Sequence, residues 1–569
     1  MTAQHHTAKL KIEVDGTALT KAVDQAVVSA FVDNCASLPD MFQVTFRDPH
    51  RTLLTEAKIK IGSNMKIRVI TDSEPGGQVL VVGEVTALEA EHDADGTMSV
   101  VRGFDYAHRL FRGRVTKTYI NVRYSDIART VAQRAALEIG KIEDSPTIRP
   151  YVAQANINDW QFLRGLAEEI GFEVGCFDGK FDFRTPTHAS GAMASGGLHS
   201  DDPTQLQLGK RLLRFRSIVT SAEQVSQVKV RGWDVAQKRA LVGVAPATTN
   251  SAEIGLKPAD LAATFKSPDF VGVDTPYGTQ AEVDAAAKAF AEQIAGASAE
   301  FEGVARGNAK LRAGKPISIA LVGKPFDGKY SLTATRHVYD PKDGYTTWFT
   351  VSGRQERSLF GLTSGTGSGS GTAMGPPIYG VVQALVSDVR DPLNQGRVKV
   401  TFPWLSDNYA TDWARTMQLS AGDQRGGMFL SEVNDEVLVA FEHGDVRRPY
   451  VIGGLYNGVD KPKLDGSIAD AGGKVKRRSF VSRRGHSVSF EDDTSKSGIW
   501  LTSGDGSLEI SLDATGTKIT ISNGGGDIEI KGSNIKIEAT GTLELKGGAG
   551  VKVDGGPSTE VKGVSIKLN

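Results

Sequence analysis

From about Leu508 to Leu568 the chain repeats one short phrase: two β-formers flanking one polar residue, then a turn. Ile519 and Ile521 are followed by Ile528 and Ile530, Ile535 and Ile537, Leu543 and Leu545, and Val551 and Val553, then by Val564, Ile566 and Leu568. The repeat is about eight residues long, with Gly, Asn or Asp in the gaps. Alternation of period two gives each strand one apolar and one polar face. So short a strand cannot bury that face alone. Stacked copies can, so the period predicts a β-solenoid or an intertwined β-helix. The outward positions are largely Lys and Glu, which suits a solvated exterior. A single-chain coil of this width has a thin core, whereas three interleaved chains make a filled triangular prism without open lateral edges. The ten Ile, Leu and Val residues from Ile519 to Val553 are the expected needle core. About eight strands at ~4.7 Å spacing make a needle of roughly 40 Å.

The rest of the composition is that of ordinary soluble protein. At 569 residues the chain needs several cores. It is 40% hydrophobic and 23% charged, with a formal net charge of −1, so no nucleic-acid or membrane surface is indicated. Cys35 and Cys176 are too few and too far apart for a disulfide framework or a zinc site, and read as buried thiols. No apolar run approaches the ~20 residues of a membrane span. The N-terminal MTAQHHTAKLKIEV lacks the apolar segment of a secretory signal.

Residues 1–101 alternate like strands: Leu10, Ile12 and Val14, then Phe42, Val44 and Phe46, then Val79 to Val85. Asp15-Gly16 and Asp95-Gly96 are turn signals, and a β-barrel is expected. Residues 102–185 read as a small α+β insertion. There Ser125 is placed to cap a helix ending at Gly140. Asn158 caps another, with Trp160, Leu163, Leu166, Ala167 and Ile170 as its apolar stripe and Gly171 as its stop. Residues 186–362 return to strands as a second barrel, with a capping box at Thr279 and Glu282 opening a helix. The Gly/Ser/Thr-rich run 363–375 reads as a flexible linker. Residues 376–460 hold five short strands in a Greek-key barrel of OB type. Residues 461–500 form a basic-then-acidic neck, and 501–569 the needle.

The barrel block also carries a resemblance. DPLNQGRVKVTFPWLSD, WARTMQLSAG and EVLVAFEHGDVRRPYVIGGLYNG resemble the OB-domain signature of VgrG-type spikes of contractile injection systems and tailed-phage baseplates. Arg483-x-Gly485-His486 with Phe490, Asp492 and Asp493 resembles the neck of these proteins, and DWQFLRGLAEEIG (159–171) their late-control-D hub. The resemblance implies a homotrimeric central spike. Its hub forms a pseudo-sixfold ring of two barrels per subunit and adapts to the hexameric inner tube. The needle punctures the target membrane, which is its only membrane contact, and carries a tip protein or effector cargo. It also implies a particle assembled in the cytoplasm. The short needle leans toward a phage-tail-like particle over a type VI apparatus.

Phe402, Trp404, Tyr409 and Trp413 resemble a base-stacking platform, but the local charge is balanced, and packing against barrel, hub and neighbouring subunits is expected instead. The run Lys474 to Arg478 with Arg483 and Arg484 reads as an inter-subunit ion-pair collar with Glu491, Asp492 and Asp493. Asp93-x-Asp95-Gly96 lacks the distal carboxylate of a calcium loop and reads as a hairpin turn. The single Gly524-Gly525-Gly526-Asp527 run is not a calcium repeat. His443, beside Glu442 and Asp445, reads as part of a structural turn, and no Cys or His follows His486 to hold a metal at a tip. No nucleotide loop, zincin helix or nucleophile elbow occurs. The expectation is therefore a non-enzymatic protein without cofactor. A baseplate lytic enzyme or a glycan-binding tail spike is the alternative. The last strand, Val564-Ser565-Ile566-Lys567-Leu568-Asn569, keeps its alternation to the end. Related spikes cap such an end with a PAAR-repeat protein, so residues Val564, Ile566, Lys567, Leu568 and Asn569 are expected to dock one.

Overall fold

The computed structural model describes residues 8–71, 74–94, 96–194, 202–340, 344–353, 377–463 and 466–567. The protein is mainly β and multidomain, as expected, and divides into two compact units, Met1–Asn457 and Gly458–Asn569. The expected linker 363–375, Asp95, Leu568 and Asn569 lie outside the described residues.

The hub departs from two separate barrels. One sheet of eleven strands runs through both halves. Ala8–Val14, Thr17–Ala18, Val27–Cys35, Met41–Arg47, Asn64–Thr71, Glu74–Asp93 and Gly96–Asp105 make one half. Ala334–Asp340, Gly344–Val351, Ala299–Arg306 and Leu212–Val219 make the other. The join is the antiparallel pairing of Ala334–Asp340 with Val27–Cys35, where Arg336 lies opposite Asp33 and grips it with two hydrogen bonds of 2.5 and 2.6 Å. The boundaries at 101 and 186 therefore fall inside a shared architecture. Each half keeps its own core. The first holds Ile12, Val32, Phe42, Val44, Phe46, Met65 and Ile67, and the second Phe301, Ile317, Tyr330, Phe349 and Val351. Asp93 pairs with Gly96 across the expected hairpin. At Gly103 a Cβ would sit 2.2 Å from the Phe42 ring, so only glycine lets the strand close over that ring. The second half carries a further module, in which Gln227–Asp234, Arg239–Pro246 and Phe270–Gly272 form a sheet backed by the helix Gln280–Gly296. Thr279 and Glu282 cap that helix reciprocally, as their spacing predicts.

At the edge of the first half two carboxylates share a buried corner. Asp105 accepts the Asp40 N–H at 2.9 Å and the Ala107 N–H at 2.8 Å. Asp40 accepts from the Asn34 amide at 2.6 Å and the Cys35 N–H at 3.1 Å. Burial pushes the Asp40 carboxyl up to about 7, with Asp178 adding to the rise and Arg312 opposing it. Burial and the neighbouring Asp40 push Asp105 up as well. A carboxyl with a raised folded-state value binds its proton more tightly when folded. Its stabilisation is present at low pH and is lost as pH rises from the ordinary value of 3.8 to about 7. Across that window the thermal midpoint of the native chain should fall relative to that of Asp40→Asn. Parallel profiles for the two proteins would contradict this.

The insertion has one core, built from Ile127, Val131, Trp160, Phe162, Leu163, Leu166, Phe181 and Phe183. Asn158 caps the helix Asp159–Ile170 through the Gln161 N–H at 2.8 Å, and Gly171 ends it at φ 73°. The other helix differs from expectation. It spans Tyr124–Arg134 with Arg123 at its N-cap, because the buried Ser125 hydroxyl instead accepts the Ser145 N–H at 3.2 Å. Gly140 does not end it, but lies in the strand Ile139–Ile142.

The OB barrel orders its strands Lys399–Thr401, Val381–Asp388, Glu436–Phe441, Pro449–Gly454 and Arg415–Thr416, and a bridge from Val398 to Ala414 closes it. Val386, Val398, Val400, Phe402, Tyr409, Val437, Val439 and Val451 fill the interior. Asp391 nucleates the first turn: it accepts from the Leu393, Gln395 and Arg397 backbone N–H groups and from the Arg397 guanidinium at 2.6 Å.

The second unit places the neck boundary differently. Arg477–Val481, Ser487–Asp493, Lys496–Thr502, Leu508–Asp513 and Lys518–Asn523 form one antiparallel meander, so position 500 falls inside a sheet. Among the described residues, no strand ladder follows Asn523 within the chain.

Candidate assembly surfaces

The meander aligns its apolar residues. Directly opposite residues share a face in an antiparallel pair. Phe480, Val488, Leu501, Ile510 and Ile521 stand opposite one another across all five strands, and Phe490, Ile499, Leu512 and Ile519 form a second row beside them. In the single chain this face is open: Ile519 is 72% and Ile521 60% exposed. The alternation continues with Ile528, Ile530, Ile535, Ile537, Leu543, Leu545, Val551 and Val553, each more than half exposed, and then Val564 and Ile566. No residue of the chain covers them in the described structure. The sequence places Val564 and Ile566 at the far end of this face, with Lys567 turned to the polar side beside them.

The neck charges pair across the same strands. Lys476 pairs with Asp493 at 2.8 Å and Arg477 with Glu491 at 3.2 Å on the opposite face, while Arg478 pairs with Asp492 at 2.6 Å at the edge of the apolar face, beside Phe490. These are pairs within one chain, across the strands Arg477–Val481 and Ser487–Asp493. The expected inter-subunit collar is corrected accordingly: the antiparallel register brings the basic run back against its own acidic run. His486 accepts the Gly504 N–H at 3.1 Å and serves the turn. Asn523 closes the Gly524–Gly526 turn by accepting the Gly526 N–H at 3.0 Å.

A second surface is already occupied. The OB barrel docks on the insertion through Arg149–Ile157, whose Ala153 belongs to the barrel core and whose Tyr151 hydroxyl donates to the Ala410 carbonyl at 2.9 Å. At its centre the buried Arg447 bridges Asp445 (2.9 Å) and Glu169 of the insertion helix (3.0 Å). Tyr124 donates to Glu169, and Arg149 pairs with Glu282. Burial alone would raise the Asp445 carboxyl, but the Arg447 guanidinium overrides it and holds the carboxyl below its ordinary range. Burial would likewise depress Arg447, yet Asp445 and Glu169 push it well up. Sequence reading missed this junction, because Glu169, Asp445 and Arg447 look like ordinary surface charges in their own segments.

The remaining candidates have structural surroundings. Phe402 and Tyr409 are core, Trp404 donates to the Gln383 carbonyl at 3.1 Å, and Trp413 lies under Lys399. His443 sits in the short 3₁₀ turn Glu442–Gly444 at φ 50°. Of the two thiols Cys176 is buried, while Cys35 is half-buried rather than fully so. Among the described residues no cluster of three or more His, Cys, Asp or Glu is placed to hold a metal ion, and no helix is long and apolar enough to cross a membrane.

An OB barrel docked on the hub's α+β insertion, with an apolar-faced meander after it in the chain, fits the spike resemblance, and the comparisons agree. Residues 382–456 match the type VI secretion system/phage-baseplate injector OB domain. Residues 4–340, more than half of the chain, match the Alg8 N-terminal domain, and the chain belongs to that family. The type VI secretion system spike protein VgrG2a of Pseudomonas aeruginosa is 30% identical over 124 residues, 21% of this chain and 14% of the relative. VgrG3 of Vibrio cholerae is 41% identical over 70 residues, 11% of this chain and 7% of the relative. The matches thus span a small part of those proteins' length. A chain of the Francisella PdpA-VgrG complex in its lidded form superposes with a TM-score of 0.52 at 10% identity, covering 91% of this chain and 80% of its own. At that identity the likeness is one of fold.

Proposed function

We propose that the protein is the structural spike of a contractile injection baseplate and works as a homotrimer. The observation that carries this reading is the apolar alternation from Leu508 to Ile566, whose side chains stand exposed among the described residues. Three copies turned inward bury that face and satisfy the strand edges beyond Asn523. The hub then seats on the hexameric inner tube and the baseplate, and the needle meets a membrane only in puncture. The chain does no chemistry in this role, and its work is mechanical. It assembles in the cytoplasm as part of a phage-tail-like particle. The exposed Val564 and Ile566, with Lys567 beside them, offer backbone to a PAAR-repeat tip protein, and Leu568 and Asn569 belong to the same expected docking segment. Cargo is a further partner, a reading supported by the solved PdpA-VgrG complex.

Light scattering on the purified full chain should give three copies. Removing residues 524–569 should weaken the trimer against denaturant. Removing only 564–569 should leave three copies but abolish co-purification of a co-expressed PAAR-repeat protein. A monomeric full chain would sink the proposal.

A further inference from the structure

One row of side chains crosses seven strands of the hub sheet. Residues directly opposite one another share a face. Arg214, on the edge strand Leu212–Val219, stands opposite Val304, and Val304 opposite Trp348. Trp348 stands opposite Arg336, and Arg336 opposite Asp33 across the join of the two halves. The row ends at Met41 and Phe104. All seven line one cavity of about 890 Å³. A second row, from Cys35 through Ala334, Thr350 and Glu302 to Arg216, lies beside the first and completes the floor. Leu38, Pro39 and Phe111 help to enclose it, and Phe111 is steadied by its stack on Trp160 at 5.1 Å.

The groove is aromatic along its length and charged at one end. Trp348 is 48% exposed and Phe104 36%, and open apolar area in a concave site of this size marks a ligand. The charges in the middle are settled. The Arg336 guanidinium lies over the Phe31 ring at 4.8 Å and grips Asp33, and His108 is held by Glu84 at 2.8 Å. At the edge strand they are not. Arg214 and Arg216 are exposed, and neither makes an ion pair among the described residues. Glu302, opposite Arg216, offsets one of these charges. One positive charge is left over, at Arg214.

We infer that the groove binds a free long-chain acyl carboxylate, with its head at Arg214 and its chain laid over Val304 and Trp348 toward Phe104. The row covers six strand spacings of ~4.8 Å, about 29 Å along the sheet, so an extended chain fills it and a compact ligand does not. An extended peptide is the other elongated occupant. It would run across the strands, where ladder bonds do not form, and would leave backbone N–H and C=O groups buried without partners. An acyl chain has none to satisfy. Its single negative charge matches the one cation in excess. Because the chain crosses the pairing of Arg336 with Asp33, binding ties the two halves of the hub together. Every lining residue belongs to one chain, so the site is complete whatever the number of copies.

The test is calorimetric titration of the full chain with dodecanoate, held below its micelle concentration, and with the uncharged dodecanol. Dodecanoate should bind saturably and raise the thermal midpoint. Arg214→Ala should weaken dodecanoate about tenfold and leave dodecanol unchanged, because only the charged head is lost. Trp348→Ser should weaken both. Both side chains are substantially exposed, so neither variant should shift the midpoint of the unliganded chain. Arg231→Ala, in a separate sheet, should change nothing. Absence of saturable dodecanoate binding would overturn the inference. So would an equal loss in Arg231→Ala and Arg214→Ala, which would mean adventitious attraction to surface charge. Binding to phosphatidylglycerol vesicles without binding of free dodecanoate would mean a membrane-surface site and would also overturn it.

Discussion

Ile537→Asp should abolish the denaturant resistance of the trimer, whereas Lys536→Asp, one residue away, should be nearly silent. Ile537 is one of the open apolar side chains beyond Asn523. Lys536 pairs in solvent with Glu538 at 2.5 Å, with both side chains mostly exposed. If the apolar face turns inward, the first change places three carboxylates on a dry axis, at a cost of several kcal/mol each. The second exchanges one solvated charge for another and loses at most about 1 kcal/mol from an exposed pair. Gel mobility without boiling, followed against temperature, reads both. Equal sensitivity of the two variants would reverse the assignment of inward and outward positions.

Arg447→Ala should be the most damaging single change in the hub and barrel. It leaves Asp445 and Glu169 buried without their cation, which typically costs about 3–5 kcal/mol. Urea unfolding of the full chain, followed by barrel fluorescence, should show the loss. Adding Glu169→Gln should recover part of it, because one stranded charge is then removed while the Tyr124 hydrogen bond can persist. A loss below about 1 kcal/mol would mean that water reaches the junction and that barrel and insertion are held mainly by Ala153 and Tyr151.

What could be read from the residues was local. The needle alternation, the five barrel strands and the caps at Asn158 and Thr279 are short-range patterns whose period or spacing carries the answer. The eleven-stranded hub sheet could not be read, because it depends on Val27–Cys35 pairing with Ala334–Asp340, far along the chain. Ser125 misled because its hydroxyl bonds Ser145, a partner outside its own helix. The neck charges did suggest pairing. Only the register of Arg477–Val481 on Ser487–Asp493 showed that each chain satisfies its own. The junction at Arg447 left no periodic trace, since it depends on where three separate segments happen to meet.

The absence, among the described residues, of an in-chain strand partner beyond Asn523 also sets an order of events. Hub and barrel are synthesised first and can complete their cores within one polypeptide. In the proposed trimer the needle strands cannot, and wait for two sister chains. Needle formation is then a meeting of finished bodies, with a rate that rises with protein concentration, while hub folding is indifferent to it. In a dilute cell the time spent with Ile528 to Ile566 uncovered would limit the yield. Synthesis of all three copies from neighbouring ribosomes would shorten that wait, and the interval before closure is when the chain is most exposed to proteolysis and to mispairing with other strand edges.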